Sequence, residues 1–185
     1  MNNTQLISVS KRLSLYLRHA PERIGLTLSP DGWVTVEELL AALARHNLAL
    51  TRAELDEVVD GNDKQRFAFD ATGNRIRANQ GHSVPVDLDL PIAVPPAVLY
   101  HGTVEKFLGA IWREGLRPMR RRHVHLSATA QTATSVGARR GPPVVLRVDS
   151  AAMAAARHQF RVSANGVWLV THVPPHYLSA WNPSI

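Results

Sequence analysis

Three stretches of this chain carry arginines that are remote in sequence yet suited to one task. Leu17-Arg18-His19-Ala20-Pro21 lies near the start, and Lys64-Gln65-Arg66-Phe67 follows in the first half. Arg120-Arg121-Arg122-His123-Val124-His125-Leu126-Ser127 lies beyond the midpoint. A guanidinium is planar, forked and permanently charged, so it matches the geometry of a phosphate. A histidine beside such groups can move protons near neutral pH. Arginines with a histidine and no evident carboxylate partner point to chemistry on a phosphate already bound to something larger.

Each residue also has a plainer explanation. Arg18 and His19 sit where a first helix should end, and cations there interact well with the helix dipole. Arg66 lies on the strand face opposite Phe67 and Phe69, where it could be an exposed arginine on a wing. Arg77-Ala78-Asn79-Gln80-Gly81-His82-Ser83 reads as the hydrophilic end of a domain. Alternatively, Asn79, Gln80 and His82 contact phosphate or ribose from a loop. His123 and His125 share a strand face, as two metal ligands would, but a zinc site needs a third ligand and the sequence offers none. Val124 and Leu126 point the other way, into a core. Neither a G-x-G-x-x-G string nor a P-loop occurs, and there is no G-x-S-x-G elbow.

Composition narrows the class. The chain has 185 residues, 45% of them hydrophobic, enough to bury a core. It lacks cysteine, which excludes disulfides, thiolate catalysis and Cys-ligated zinc. No apolar run approaches the roughly 20 residues needed to span a bilayer, and the first residues lack a signal-peptide pattern. A cytoplasmic protein is expected. Charge is divided unevenly. Residues 1–97 carry 10 Lys/Arg against 12 Asp/Glu, a net of −2. Residues 98–185 carry 11 against 3, a net of +8. A basic half of this kind attracts nucleic acid or nucleotides.

The elements that must position these residues are legible from pattern. Leu6, Val9, Leu13 and Leu17 recur at helical spacing, and that helix should stop before Pro21. Asp31-Gly32 reads as a turn. Thr35-Val36-Glu37-Glu38 and Thr51-Arg52-Ala53-Glu54 are capping boxes that open two more helices, the first with Leu39, Leu40 and Leu43 inward and the second ending near Gly61. Arg66–Phe69 and Arg75–Ala78 flank Thr72-Gly73-Asn74 as a hairpin. Three helices and a hairpin over residues 1–83 resemble a winged helix. Residues 84–97, rich in proline, read as an extended linker.

From 98 to 185 the chain looks strand-rich. Val98–His101 is a predicted strand, and Thr103 is expected to cap a helix that buries Phe107, Leu108, Ile111 and Trp112. Gly115 suits its C-terminal end. Strands are expected at His123–Ser127 and Val144–Val148, and Ser150 is expected to cap a short alanine-rich helix. Asn165-Gly166 between Phe160–Val162 and Val167–Val170 signals a hairpin. The class is therefore α+β, a compact mixed lobe following a helical one.

Taken together, these strings carry a resemblance. They are Ser10–Pro21, Asp31-Gly32-Trp33-Val34, Arg66-Phe67, Arg77–Ser83, Tyr100-His101-Gly102-Thr103, His123–Ser127 and Asn165-Gly166-Val167-Trp168-Leu169. In this order, across about residues 8–178, they resemble the NAD-dependent RNA 2′-phosphotransferase family, known for transfer-RNA splicing. Trp168-Leu169-Val170 has Val where the family commonly has Thr.

The resemblance implies a winged-helix-like lobe and an ADP-ribosyltransferase-like lobe, with the site in the cleft between them. It implies Arg18, His19, Arg66 and Arg121 as the catalytic set. The family's R-x-H-V-H pattern selects Arg121, with Arg122 the second candidate. It places NAD⁺, as co-substrate and without a metal, on His101, Gly102, Thr103 and Ser127. The expected partner is RNA bearing an internal 2′-phosphate, and a monomer is expected. The implied reaction has two steps. The 2′-phosphate attacks the nicotinamide-bearing ribose carbon and expels nicotinamide. The ADP-ribose 2″-hydroxyl then attacks the phosphorus, freeing the RNA 2′-hydroxyl and ADP-ribose 1″,2″-cyclic phosphate.

Elementary chemistry fits this scheme. A phosphate monoester is anionic at neutral pH, its second pKa being about 6. It needs orientation and charge compensation rather than a general base. The second step does need a proton carrier, and an imidazole with an ordinary pKa of about 6.5 can act as one. Protein-modifying ADP-ribosyltransferases place a glutamate late in the fold, whereas no Asp or Glu follows Asp149 here. Two alternatives remain. One is ADP-ribose transfer that stops on a terminal nucleic-acid phosphate. The other is a non-catalytic winged-helix nucleic-acid-binding protein, which leaves His101-Gly102-Thr103 without a role.

Overall fold

A computed structural model of the protein describes residues 1–61, 64–119 and 121–182. The chain forms two compact units, Met1–Asp89 and Leu90–Ile185, both of mixed helix and strand.

In the first unit, helix α1 (Asn3–Arg18) opens on a capping box between Asn2 and Gln5 and buries Val9, Leu13, Tyr16 and Leu17. It closes at His19, because Pro21 cannot continue it and instead opens a 3₁₀ turn, Pro21–Ile24. Strand β1 (Val34–Thr35) leads directly into helix α2 (Val36–Arg45), and helix α3 (Arg52–Asp60) follows. Both helices open on the capping boxes read from sequence, Thr35 with Glu38 and Thr51 with Glu54. Leu39 and Leu43 are fully buried, and Leu40 is only partly so. Strands β2 (Phe67–Phe69) and β3 (Arg75–Ala78) form the hairpin, and β1 adds to its free edge in the order β1-β3-β2. Ile76 and Ala78 fill the core beneath this sheet. Arg75 and Arg77 alternate with them, and their guanidiniums lie 5.4 and 4.5 Å from the centre of the Trp33 ring.

The string after β3 is not a solvated tail. Asn79 and His82 are buried, only 6% and 4% exposed. The backbone N–H groups of Ser83 and Val84 donate to the Arg18 carbonyl at 2.9 and 3.4 Å, and Asp87 N–H donates to Pro30 at 2.9 Å. The proline-rich segment therefore begins as a strap against the first unit, with Val86 buried. From Leu90 onward it belongs to the second unit, where Ile92 bridges Arg161.

The second unit contains two three-stranded antiparallel sheets. In one, β4 (Val98–Val104) pairs with β6 (Pro143–Asp149) along its whole length, and β9 (Leu178–Ala180) pairs with the other edge of β6. In the other, β8 (Trp168–Val170) lies between β5 (Val124–Leu126) and β7 (Arg161–Val162). Tyr100 and Ser127 exchange both backbone hydrogen bonds, at 2.8 and 2.9 Å, and so tie β4 to the end of β5. Val124, Leu126, Leu146, Phe160 and Val170 fill the core between. Helix α5 (Ala130–Gly137) packs so closely on β4 that a side chain at Gly102 would collide with the Ala133 carbonyl.

Several local expectations change. Thr103 lies inside β4, paired with Val144, because the strand runs three residues beyond His101 instead of ending there. The next helix, α4 (Leu108–Glu114), therefore starts later, after a 3₁₀ turn over Glu105–Phe107. That shift turns Phe107 and Trp112 outward, 38% and 40% exposed, while Ile111 stays buried. The cap of α6 (Ser150–Ala155) is Asp149, whose carboxylate accepts from Ala152 N–H at 2.9 Å. Ser150 instead donates to the Pro96 carbonyl. Gly115 ends α4 with φ +78°, as its position implied. Helix α5 and strand β9 had no sequence expectation. Among the described residues, no helix is long and apolar enough to cross a membrane.

Candidate active site

In the first unit, the end of α1 and the start of the hairpin bring Arg18, His19 and Arg66 to one groove. Arg18 Nη2 donates to the Arg66 carbonyl at 3.2 Å, and its guanidinium lies 5.9 Å from the centre of the Phe67 ring. The two arginines are therefore neighbours although 48 residues separate them in sequence. The groove holds about 690 Å³ and is bordered by Lys11, Arg18, His19, Lys64 and Arg66, with the hydroxyls of Ser10 and Ser14. Among the described residues its border carries no carboxylate; Asp63, next to Lys64, lies outside them. A site of this kind can hold a phosphate group.

Behind the groove lies the strap. His19 Nδ1 is 2.9 Å from Ser83 Oγ. His82 is pushed down to about 4, first by burial and then by Arg18, His19 and Arg77, against a backbone hydrogen bond with Leu17. It is a neutral imidazole under a cationic surface. The Asn79 side-chain nitrogen donates to the carbonyls of Gln65 and Phe67, at 2.6 and 3.4 Å. Asn79 thus fastens the hairpin on which Arg66 rides. Gln80 is partly exposed beside it.

In the second unit, His101, Gly102 and Thr103 follow one another along β4, and Ser127 is tied to the same strand through Tyr100. His101 Nδ1 donates to the His125 carbonyl at 3.2 Å. Burial lowers its pKa, the hydrogen bond opposes that, and Arg140 lowers it further. Arg121 contacts His125 Nδ1. The Arg121 guanidinium is lowered by burial and then by Arg140 and Arg139, yet an arginine remains cationic at neutral pH. Arg120, next to it, lies outside the described residues. Sequence reading missed Arg139 and Arg140, at the end of α5. The available signal was an arginine pair running into Gly141, a basic turn after a small-residue helix. The face between β4 and this turn is electropositive and suits an anionic ligand such as a pyrophosphate. No group of three or more His, Cys, Asp or Glu side chains placed to hold a metal occurs among the described residues.

Both units thus present clusters built for anions, one framed by forked cations and an imidazole, the other by a glycine-lined strand and arginines. The family model described as RNA 2′-phosphotransferase, Tpt1 / KptA family, matches residues 4–172. The chain belongs to this family. A Streptomyces griseus protein named "Probable RNA 2′-phosphotransferase" is 62% identical over 96% of this chain and 98% of its own length. Proteins of the same name from Streptomyces coelicolor and Trichormus variabilis are 60% and 53% identical. They cover 96% and 98% of this chain, and 97% and 100% of their own lengths.

Proposed function

We infer that the protein removes an internal 2′-phosphate from RNA by transferring it to NAD⁺. Family membership supports the RNA 2′-phosphate as substrate. The observation that carries the reading is the gathering of Arg18 and Arg66 with His19 on one groove. The two units are read as a winged-helix-like lobe and an ADP-ribosyltransferase-like lobe. Arg18 and Arg66 neutralise and orient the phosphate, and Arg121 is the third guanidinium of the motif. His101, Gly102, Thr103 and Ser127 hold NAD⁺, with Arg139 and Arg140 adding charge for its pyrophosphate.

The bond changes follow. A phosphate oxygen forms a bond to the ribose C1″ as the bond to nicotinamide breaks, and nicotinamide leaves with the electron pair. No proton is transferred in this step. The ADP-ribose 2″-oxygen then forms a bond to phosphorus, and the bond from phosphorus to the RNA 2′-oxygen breaks. His19 takes the proton from the 2″-hydroxyl and returns one to the departing 2′-oxygen. The products are RNA with a 2′-hydroxyl and ADP-ribose 1″,2″-cyclic phosphate.

One assay tests this. Incubation of the protein with NAD⁺ and an oligonucleotide bearing an internal 2′-phosphate should release nicotinamide and remove the phosphate mass from the RNA. An oligonucleotide with only a terminal phosphate serves as the comparison. Stable ADP-ribose on that end, with the internal phosphate untouched, would instead establish terminal transfer. Binding without any NAD⁺ consumption would establish a non-catalytic nucleic-acid-binding protein.

A further inference from the structure

The strap from Gly81 to Val84 is joined to the end of α1 by more than packing. The last carbonyls of a helix lack intrahelical partners. Here the Arg18 carbonyl accepts from both Ser83 N–H, at 2.9 Å, and Val84 N–H, at 3.4 Å. Behind them His82 is 4% exposed and bonded to the Leu17 backbone. These bonds fix the strap at the residues flanking His19. They carry Ser83 Oγ to 2.9 Å from His19 Nδ1, across 64 residues of sequence. Neither residue is buried, so their pairing is set by this backbone docking rather than by confinement.

We propose that Ser83 is a positioning residue for His19, holding the tautomer that leaves Nε2 unprotonated and directed to the reacting groups. This rests on the reaction inferred above. A neutral imidazole carries one ring proton, and the hydrogen bond at one nitrogen decides which nitrogen bears it. When Nδ1–H donates to Ser83 Oγ, Nε2 presents a lone pair. That form can accept the 2″-hydroxyl proton. Once charged, the ring keeps its Nδ1–H bond to Ser83 and returns the Nε2 proton to the RNA 2′-oxygen. A hydroxyl oxygen can accept throughout this cycle. A carboxylate in its place would also fix the ring, but its negative charge beside the phosphate would oppose binding.

The test has two readouts. In the wild-type protein, the ¹⁵N chemical shifts of His19 are expected to report Nδ1–H with Nε2 unprotonated in the neutral ring. Ser83→Ala keeps both backbone bonds to Arg18. It should release nicotinamide near the wild-type rate but slow the second step roughly tenfold or more, so that ADP-ribosylated RNA accumulates. Ser83→Thr restores the acceptor and should restore the second step. The proposal is overturned if wild-type His19 carries its proton on Nε2, or if Ser83→Ala completes both steps at the wild-type rate. Failure of the wild-type protein to consume NAD⁺ with 2′-phosphorylated RNA would overturn the inferred reaction instead. The tautomer is read without either substrate, so the two failures are distinct.

Discussion

At the scale of single residues, the inferred chemistry divides the work between charge and proton transfer. His19→Ala should leave the first step running, since the phosphate is already a nucleophile. The second step should fall by roughly 10²- to 10⁴-fold, the usual loss for a general acid–base group. Mass analysis of the RNA should then find the ADP-ribosylated form accumulating, and full turnover with no such species would remove His19 from the mechanism. Arg66→Lys keeps a charge but loses the fork that grips two phosphate oxygens. We expect at least a tenfold loss in kcat/KM for RNA, about 1.4 kcal/mol, with KM for NAD⁺ little changed. A variant indistinguishable from wild type would return Arg66 to the role of a surface arginine.

At the scale of elements, what could be read in advance was whatever one stretch of chain specifies by itself. The capping boxes at Thr35 and Thr51 and the turn at Asn165-Gly166 are local chemistry, and they hold in the fold. So does the stop of α1 before Pro21. What a distant partner imposes was not readable. Thr103 became part of a strand because β6 pairs with β4 to its end. Asn79 and His82 became buried because the strap folds back on α1, while their string is uniformly polar. Arg140 matters through its effect on Arg121 and His101, and Arg139 through its effect on Arg121, which no spacing announces. Gly102 shows how tightly such partners constrain a position. Its place against the Ala133 carbonyl leaves no room for a methyl group. Gly102→Ala must push α5 off β4, and overpacking of this kind costs about 1–3 kcal/mol. Thermal unfolding should shift down by several degrees, whereas Gly166→Ala, with open space around it, tests only the turn's positive φ.

The strap also carries a pH dependence. His82 titrates at about 4 when folded, against 6.5 for the free side chain. The unfolded chain therefore takes up this proton first as pH falls. Its contribution is fully present above about 6.5 and is lost progressively toward 4. The loss amounts to at most about 3 kcal/mol. Asp70, held down to about 2 chiefly by its hydrogen bond with Arg75, acts in the same direction but only below its ordinary 3.8. Urea midpoints measured from pH 7.5 to 4.5 should fall more steeply for the wild-type protein than for His82→Phe, and equal slopes would mean that His82 is not held neutral.

Across the whole molecule, charge is sorted by task rather than spread for solubility. The first unit has a net charge of −2, yet its groove is bordered by Lys11, Arg18, Lys64 and Arg66, with no acid among the described residues. Several of its carboxylates are used elsewhere, as the helix-capping Glu38 and Glu54 and in pairs such as Asp70 with Arg75. The second unit is +8, with three acids against eleven basic residues, and one of those acids, Asp149, is taken by a helix cap. A polyanion is therefore drawn to both units, and each phosphate neutralised releases counterions. For single-stranded nucleic acid the slope of log affinity against log salt is about −0.7 per phosphate contacted. NAD⁺ offers only a pyrophosphate, so its affinity should change far less. Raising salt from 50 to 200 mM, with two to four RNA phosphates engaged, should weaken RNA binding by roughly 7- to 50-fold, while KM for NAD⁺ changes less than about threefold. Fluorescence anisotropy of a labelled 2′-phosphorylated oligonucleotide checks the first figure and steady-state kinetics the second. A flat response for RNA would mean that recognition is confined to the one 2′-phosphate, leaving the basic surface of the second unit to some other anion.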